Sequence, residues 1–216
     1  MSPINIGILI SGGGTNLQAI IDNIENKNIN GHIKLIISNK ENAYGLVRGQ
    51  THNIETLFID RKQFHNEEEY NFKLIDELKK RNIDLIVLAG YLRVLSPDFI
   101  KEFHNKIINI HPSLIPSFCG PGYYGRRVHE EVLKYGVKYT GATAHFVDAG
   151  TDTGPIILQE TVKVEDQDTV DSLSNKVLEV EHKILVKAVK LYCSNQLKFS
   201  DRIVKVKERK NEKSLN

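Results

Sequence analysis

Apolar runs that alternate with helix-like segments are the feature that most constrains the fold of this chain. Ile4 to Ile10 is almost continuously apolar, as is Leu85 to Ala89, and both have the length of a strand. Such runs are typical of strands that are buried on both faces of a parallel sheet. Between them, Glu67 to Arg81 has the periodicity of an amphipathic helix. The alternation predicts an α/β fold with a mostly parallel sheet.

The complete pattern predicts five strands with intervening helices, and the regular alternation of strand and helix ends near residue 135. The predicted strands are Ile4–Ile10, Ile33–Ser38, Glu55–Ile59, Leu85–Ala89 and Lys106–Ile110, and the predicted helices are Leu17–Asn26, Ala43–His52, Glu67–Arg81, Ser96–Phe103 and Val128–Lys134. Tyr139–Val147 and Pro155–Val164 then follow as two strands with no helix between them, which predicts an antiparallel or mixed extension. Asp168–Tyr192 is a long closing helix. We expect a single domain over residues 1–196, a three-layer open twisted sheet with a Rossmann-like N-terminal half.

Charge is concentrated at the end of the chain. The net charge is +2, and residues 201–216 hold six basic and three acidic side chains. We therefore expect residues 197–216 to form a basic, flexible tail, and we expect no nucleic-acid partner. The chain has no apolar run of about 18 residues and no secretory signal pattern. Its two cysteines, Cys119 and Cys193, form no metal-type pair, so we expect a cytoplasmic protein with no membrane partner.

A glycine-rich turn, SGGGTN at residues 11–16, separates the first strand from the first helix. Glycines let a ligand approach the backbone closely, and a helix N-terminus attracts anions. The third glycine of a dinucleotide fingerprint would fall at Leu17, and no Walker lysine follows. The turn predicts a monophosphate site, and a tight turn without a ligand is the alternative.

The segment INIHPSLIPSF, residues 108–118, ends the fifth predicted strand. Alternate residues of a strand face the same side, so Asn109 and His111 should project together, and Pro112 should end the strand. An amide can donate to a developing oxyanion and an imidazole can carry a proton. The alternative is that both side chains only cap the strand.

The loop VDAGTDTGPIILQ adds two acids, Asp148 and Asp152. A carboxylate near His111 would raise the pKa of the imidazole and keep it protonated closer to neutral pH. Either acid could instead bond its own backbone in a turn. We expect no metal site, because His129 lacks a second histidine one helical turn later. We interpret His129 as a helix surface residue or a substrate contact, and Cys119 as a loop thiol without a role.

Four segments together identify a family: ISGGGTNLQAII, AGYLRVLSP, INIHPSLIPSF and HFVDAGTDTGPIILQ occur in this order. The chain resembles phosphoribosylglycinamide formyltransferase over residues 4 to about 192. The resemblance implies attack of the glycinamide ribonucleotide amine on the formyl carbon of 10-formyltetrahydrofolate, a co-substrate. The expected products are formylglycinamide ribonucleotide and tetrahydrofolate, in purine synthesis. It implies small-molecule substrates, no metal, and a monomer or homodimer.

The resemblance also implies roles for particular residues. Asn109 and His111 would stabilise the oxyanion, and Asp152 would hold His111 charged and order a relay water. The residues implied for glycinamide ribonucleotide are Gly13, Gly14, Thr15, Asn16 and Glu181, and those implied for folate are Arg93, Val94, Leu95 and Asn109.

Two segments depart from the family pattern. Glu67 replaces a basic residue that contacts the folate tail in many members, and Arg61 or Lys62 could substitute for it. The loop from Cys119 to His129 is longer than in many members.

Two other enzymes, methionyl-tRNA formyltransferase and formyltetrahydrofolate hydrolase, resemble the same catalytic domain, but the chain length disfavours both. A non-catalytic nucleotide-binding module is the alternative from another class.

Overall fold

The computed structural model describes residues 2–207, in which it forms nine strands and six α-helices. The strands are β1 (Ile4–Ile10), β2 (Gly31–Ser38), β3 (Thr56–Phe58), β4 (Leu85–Leu88), β5 (Ile107–His111), β6 (Tyr139–Phe146), β7 (Ile156–Lys163), β8 (Leu197–Ser200) and β9 (Ile203–Val206). The helices are α1 (Thr15–Glu25), α2 (Tyr44–Thr51), α3 (Glu67–Lys80), α4 (Pro97–Glu102), α5 (Arg126–Tyr135) and α6 (Val170–Cys193). Every predicted element is present, with ends within two residues of the prediction.

Seven strands form one sheet in the order β3-β2-β1-β4-β5-β6-β7. The first five strands pair in parallel, and β6 pairs antiparallel with both β5 and β7. This confirms the mostly parallel sheet with an antiparallel C-terminal extension. The chain runs outward from β1 in both directions, and ligands bind at such a switch point, beyond the carboxyl ends of the strands.

Helices cover both faces of the sheet, which confirms the three-layer architecture. One apolar core joins the sheet to α1, α2, α5 and α6, and the other joins it to α3 and α4. Strand β1 contributes Ile8 and Ile10 to the first core and Leu9 to the second. Because both of its faces are buried, the strand must be apolar at consecutive positions.

Side-chain caps define several helix starts. Ser96 accepts a hydrogen bond from the backbone N–H of Phe99, and Pro97 occupies the first turn of α4, as predicted. Thr169 and Ser172 form a reciprocal capping box at the start of α6. Each such cap stabilises its helix by about 1 kcal/mol.

The predicted flexible tail is wrong for residues 197–206, which form the antiparallel hairpin of β8 and β9. The Phe199 ring lies 4.8 Å from the Phe146 ring, and Arg202 donates a hydrogen bond to the carbonyl oxygen of Thr153. Apolar residues alternate with basic ones in this segment, so the charge count concealed a strand pattern of period two. Residues 208–216 lie outside the described part of the chain. Within residues 2–207, no helix has the length and apolar character needed to cross a membrane.

Candidate active site

A cleft of about 560 Å³ lies beyond the carboxyl ends of β4 and β5. It brings together predicted residues that are far apart in the sequence: Asn16, Arg93, Val94, Leu95, Asn109, His111, Asp152 and Glu181. Gly13, Gly14 and Thr15 form the turn immediately before Asn16. The sheet therefore collects groups from strand ends, two loops and the last long helix at one place.

The strand register fixes the position of Asn109. It is paired directly with His145 on β6, and its Nδ2 lies 3.1 Å from Nε2 of that histidine. Nδ1 of His145 lies 2.8 Å from the carbonyl oxygen of Phe146. A carbonyl oxygen only accepts, so Nδ1 carries the proton and Nε2 accepts from the Asn109 amide. The second N–H of that amide has no hydrogen-bond partner in the described part of the chain, and it can donate into the cleft.

His111 follows Asn109 on the same face of β5, as predicted, and it is almost completely buried. Nε2 of its ring donates to the carbonyl oxygen of Phe118 at 2.9 Å. Nδ1 faces the Asp152 carboxylate at 3.5 Å. A proton taken up at Nδ1 would therefore meet a negative charge.

Asp152 acts on His111 in the expected direction, but it does not keep the ring protonated. Burial lowers the pKa of the His111 imidazole below its usual value, although the Asp152 charge and the Phe118 carbonyl act in the opposite direction. Desolvation of a nearly buried ring outweighs one neighbouring carboxylate here. His111 is therefore neutral at neutral pH.

Asp152 lies on the loop between β6 and β7, in the left-handed backbone region with φ 57°. Aspartate tolerates this conformation better than most residues. Its Oδ1 lies 3.7 Å from Nε2 of His145, and its Oδ2 accepts the N–H of Gly120 at 3.0 Å. Burial favours the neutral acid, but His145, His111 and the Gly120 N–H together hold the pKa of Asp152 below its usual value. The group is a carboxylate at neutral pH.

The segment from Phe118 to Gly125 closes one side of the cleft. It is attached to the candidate catalytic residues twice, through the Phe118 carbonyl on His111 and the Gly120 N–H on Asp152. Cys119 lies between these contacts and donates to the Pro116 carbonyl oxygen. Burial, followed by the Asp152 charge, raises the pKa of its thiol. This agrees with a loop thiol, since a reactive cysteine needs a lowered pKa.

The glycine turn leaves the N-terminus of α1 open. Gly14 occupies the cap position with φ 71°, and it has no side chain to accept the N–H groups of the first turn. A Cβ on Gly14 would lie 2.7 Å from Cα of Gly45, so α2 packs directly against this turn. A Cβ on Gly12 or Gly13 would meet nothing within 4 Å. The turn is therefore rigid on one side and accessible on the other.

Asn16 and Glu181 form a polar pair on the cleft wall. Nδ2 of Asn16 donates to Oε2 of Glu181 at 2.7 Å, and Oδ1 of Asn16 is buried without a hydrogen-bond partner in the described chain. Burial raises the pKa of Glu181 to about 7, even though the Asn16 amide favours the carboxylate. The pair offers an unused acceptor and a titratable acid to a ligand.

The opposite wall is an irregular segment, residues 90–95. The N–H of Leu92 donates to Oγ of Ser11, and the hydroxyl of Tyr91 lies 2.6 Å from that of Tyr70. Leu88, Leu95 and Ile100 supply the apolar lining of the wall. This wall suits a flat, apolar ligand with polar edges.

Two site residues differ from the sequence analysis. His129 is buried rather than at the surface, and its Nδ1 has no partner in the described residues. Burial lowers the pKa of its imidazole. His145 was not singled out, and the signal that could have identified it is its place opposite Asn109 in an antiparallel pair. Across residues 2–207, no group of three His, Cys, Asp or Glu side chains is arranged to hold a metal ion.

Comparisons with known proteins identify the family of the chain. A family model described as formyl transferase matches residues 4–189. Phosphoribosylglycinamide formyltransferase of Haemophilus influenzae is 38% identical over 198 residues, which cover 92% of this chain and 91% of that protein. The crystal structure of glycinamide ribonucleotide transformylase 1 from Symbiobacterium toebii has a TM-score of 0.91 at 39% identity, and the match covers 96% of this chain and 95% of that one.

Other relatives are much longer. The human trifunctional purine biosynthetic protein adenosine-3 is 42% identical over 205 residues, which cover 94% of this chain and 20% of that protein. This chain thus spans 13% to 20% of the length of its trifunctional relatives from insects and vertebrates. From the family model matched over residues 4–189 and the shared fold, the chain belongs to the formyl transferase family.

Proposed function

We propose that this chain transfers the formyl group of 10-formyltetrahydrofolate to the amine of glycinamide ribonucleotide. The observation that carries the proposal is the convergence of Asn109, His111 and Asp152 on one cleft that also meets the open N-terminus of α1. Formyl transfer needs an amine held beside a carbonyl group, a donor for the developing oxyanion and a path for protons. These three side chains supply the oxyanion donor and the path for protons.

Glycinamide ribonucleotide fits the side of the cleft where Asn16 follows the glycine turn. The uncapped N–H groups of α1 suit its phosphate, because they carry partial positive charge and point along the helix axis. Oδ1 of Asn16 is free to accept a hydrogen bond from the sugar or the amide. Glu181, held by Asn16, lies where it can contact the same substrate.

The donor fits the opposite wall. Its pterin is flat and has polar edges, and residues 90–95 present peptide groups outside any strand beside the apolar Leu88, Leu95 and Ile100. Arg93, Val94 and Leu95 would hold the donor from this side. When bound, the donor supplies the formyl carbon and the amine that leaves.

The protein groups act on charge and protons. The free N–H of Asn109 donates to the formyl oxygen as that oxygen becomes negative, a contribution of about 3 kcal/mol for one oxyanion donor. Neutral His111 takes up at Nδ1 the proton that the attacking amine loses, and Asp152 stabilises the resulting imidazolium at 3.5 Å. The same proton then passes to the leaving nitrogen of tetrahydrofolate. His145 keeps the Asn109 amide oriented.

The test is to offer purified protein the formyl donor with and without glycinamide ribonucleotide. We expect donor consumption and formylated product only when the amine substrate is present. His111→Ala and Asp152→Asn should both lower turnover sharply and leave the circular dichroism spectrum unchanged. Equal donor consumption without the amine would assign a hydrolase instead, and no consumption in either case would favour a nucleotide-binding module. The cytoplasmic location and the monomeric or homodimeric state stay predictions.

A further inference from the structure

One carboxylate is shared by two arginines beside the donor wall. Oε1 of Glu67 lies 2.5 Å from an NH2 nitrogen of Arg93 and 2.8 Å from Nε of Arg61. Arg93 is itself a lining residue of the cleft, and its guanidinium lies over the ring of Tyr70. Glu67, in the first turn of α3, therefore binds the guanidinium of Arg93 at the cleft wall.

The cluster has more donors than acceptors. Two guanidinium groups face a single carboxylate, and Nε of each arginine is buried without a hydrogen-bond partner in the described residues. Arg61 also donates from Nη1 to the Phe64 carbonyl oxygen at 2.8 Å. The side chains of Arg61 and Arg93 are 24% and 29% exposed, whereas that of Glu67 is 56% exposed. Glu67 is thus the most exposed member of the cluster, and a second carboxylate from solvent could take its place.

Glu67 is ionised at neutral pH. Burial would raise its pKa, but the hydrogen bond from Arg93 and the ion pair with Arg61 hold that pKa below its usual value. The present contacts engage Arg93 through one nitrogen. A guanidinium binds a carboxylate most strongly through two parallel N–H groups, so a ligand carboxylate could make a better pair with Arg93.

We infer that Glu67 is a specificity-determining residue that competes with carboxylates of the donor for Arg61 and Arg93. The inference rests on the proposed function, since tetrahydrofolate ends in a glutamate tail that carries two carboxylates. In the free chain Glu67 occupies the two arginines. The tail must displace this carboxylate, or bind beside it against its charge, so the protein favours donors with few tail charges.

The test measures the dissociation constant of tetrahydrofolate by calorimetry for the wild type, Glu67→Gln and Glu68→Gln. Glu68 is a matched control, because it is exposed on the same turn and makes no hydrogen bond or ion pair in the described chain. Both variants remove one negative charge. 6-Methyltetrahydropterin, which lacks the tail, serves as the second probe.

We expect Glu67→Gln to bind tetrahydrofolate about 3- to 10-fold more tightly than Glu68→Gln does. The gain should be larger for a polyglutamylated tetrahydrofolate, should shrink as salt is raised, and should be absent for the tail-less pterin. An equal change in both variants, or an equal change for both probes, would overturn the inference. Weaker binding of both probes by Glu67→Gln would show that Glu67 only supports the wall. A wild type that binds no tetrahydrofolate would instead refute the proposed function.

Discussion

The candidate catalytic residues fall into two sets, a strand side (Asn109, His111 and His145) and a loop side (Asp152 and the Phe118–Gly125 segment). Asn109, His111 and His145 stand on adjacent strands, and their positions follow from the register of β5 and β6. Asp152 and the Phe118–Gly125 segment are carried by loops. Their positions depend on the Phe118–His111 hydrogen bond, on the Gly120–Asp152 hydrogen bond between the loops, and on the contacts of Asp152 with His111 and His145. The sheet fixes the positions of side chains on strands. Side chains on loops are fixed only by their contacts with neighbouring residues of the site. We therefore expect the strand side to dominate oxyanion stabilisation and the loop side to tune proton transfer.

The largest expected effect is on the strand side. Asn109→Ala removes the N–H that points into the cleft, and it should lower kcat by about 100- to 1,000-fold. The free energy of unfolding should change little, because the Asn109 side chain is only partly buried. Steady-state kinetics and urea unfolding check the two parts. A decrease in kcat of less than fivefold would show that Asn109 does not stabilise the oxyanion.

A smaller effect is expected on the loop side. Asp152→Asn keeps the shape of the side chain and removes the charge that faces Nδ1 of His111. We expect kcat to fall about 10- to 100-fold.

The same variant should move the pH profile. The Asp152 charge raises the pKa of His111 against the larger effect of burial, so its removal lets that pKa fall further. Because neutral His111 takes up the proton, the acid limb of kcat/KM should move to lower pH in Asp152→Asn. A limb that moves to higher pH would contradict the contact between the two side chains.

The glycine turn offers a comparison of rigid and open backbone. Gly14→Ala forces a side chain into the left-handed region and places its Cβ 2.7 Å from Gly45. It should lower the free energy of unfolding by about 2 kcal/mol. Gly13→Ala meets open space and should cost less than about 1 kcal/mol. Urea unfolding of both variants measures the difference, and equal values would refute the close packing of α2 on this turn.

The last expected effect concerns the pH dependence of stability at Glu181. Its pKa of about 7 lies above the usual 4.5, so the folded chain binds more protons than the unfolded chain between these values. Stability from this group is therefore lost as pH rises through that window. Between pH 4.5 and pH 8, Glu181→Gln should lose about 3 kcal/mol less stability than the wild type. Thermal unfolding measures this, with the exposed Glu179→Gln as control, and equal shifts in both variants would contradict the burial of Glu181.

Elements with strong local patterns could be predicted from the sequence. The continuous apolar runs identified β1 and β4, and the two-residue spacing placed Asn109 and His111 on one face of β5. The role of His145 could not be deduced in this way, because it depends on the register between two strands. The neutral state of His111 was also missed, since burial is a tertiary property that outweighs a single visible charge.

The remaining errors have a similar cause. His129 is one polar residue beside Val128 and Val132, and the sequence does not show that this turn of α5 faces the core. The β8–β9 hairpin was not predicted, because the basic residues of this segment indicated an exposed tail. In both cases a polar side chain occupies a position whose burial or pairing is decided by distant residues, such as Phe146 for Phe199.

The most direct test of the account is a double-mutant cycle on the rate of formyl transfer to glycinamide ribonucleotide. It compares the wild type, His111→Ala, Asp152→Asn and the double variant at saturating substrates. If the strand-borne imidazole and the loop-borne carboxylate act as one unit, the double variant should be no slower than the slower single variant by more than about twofold. Multiplication of the two single effects would show that they act independently, and it would contradict the account.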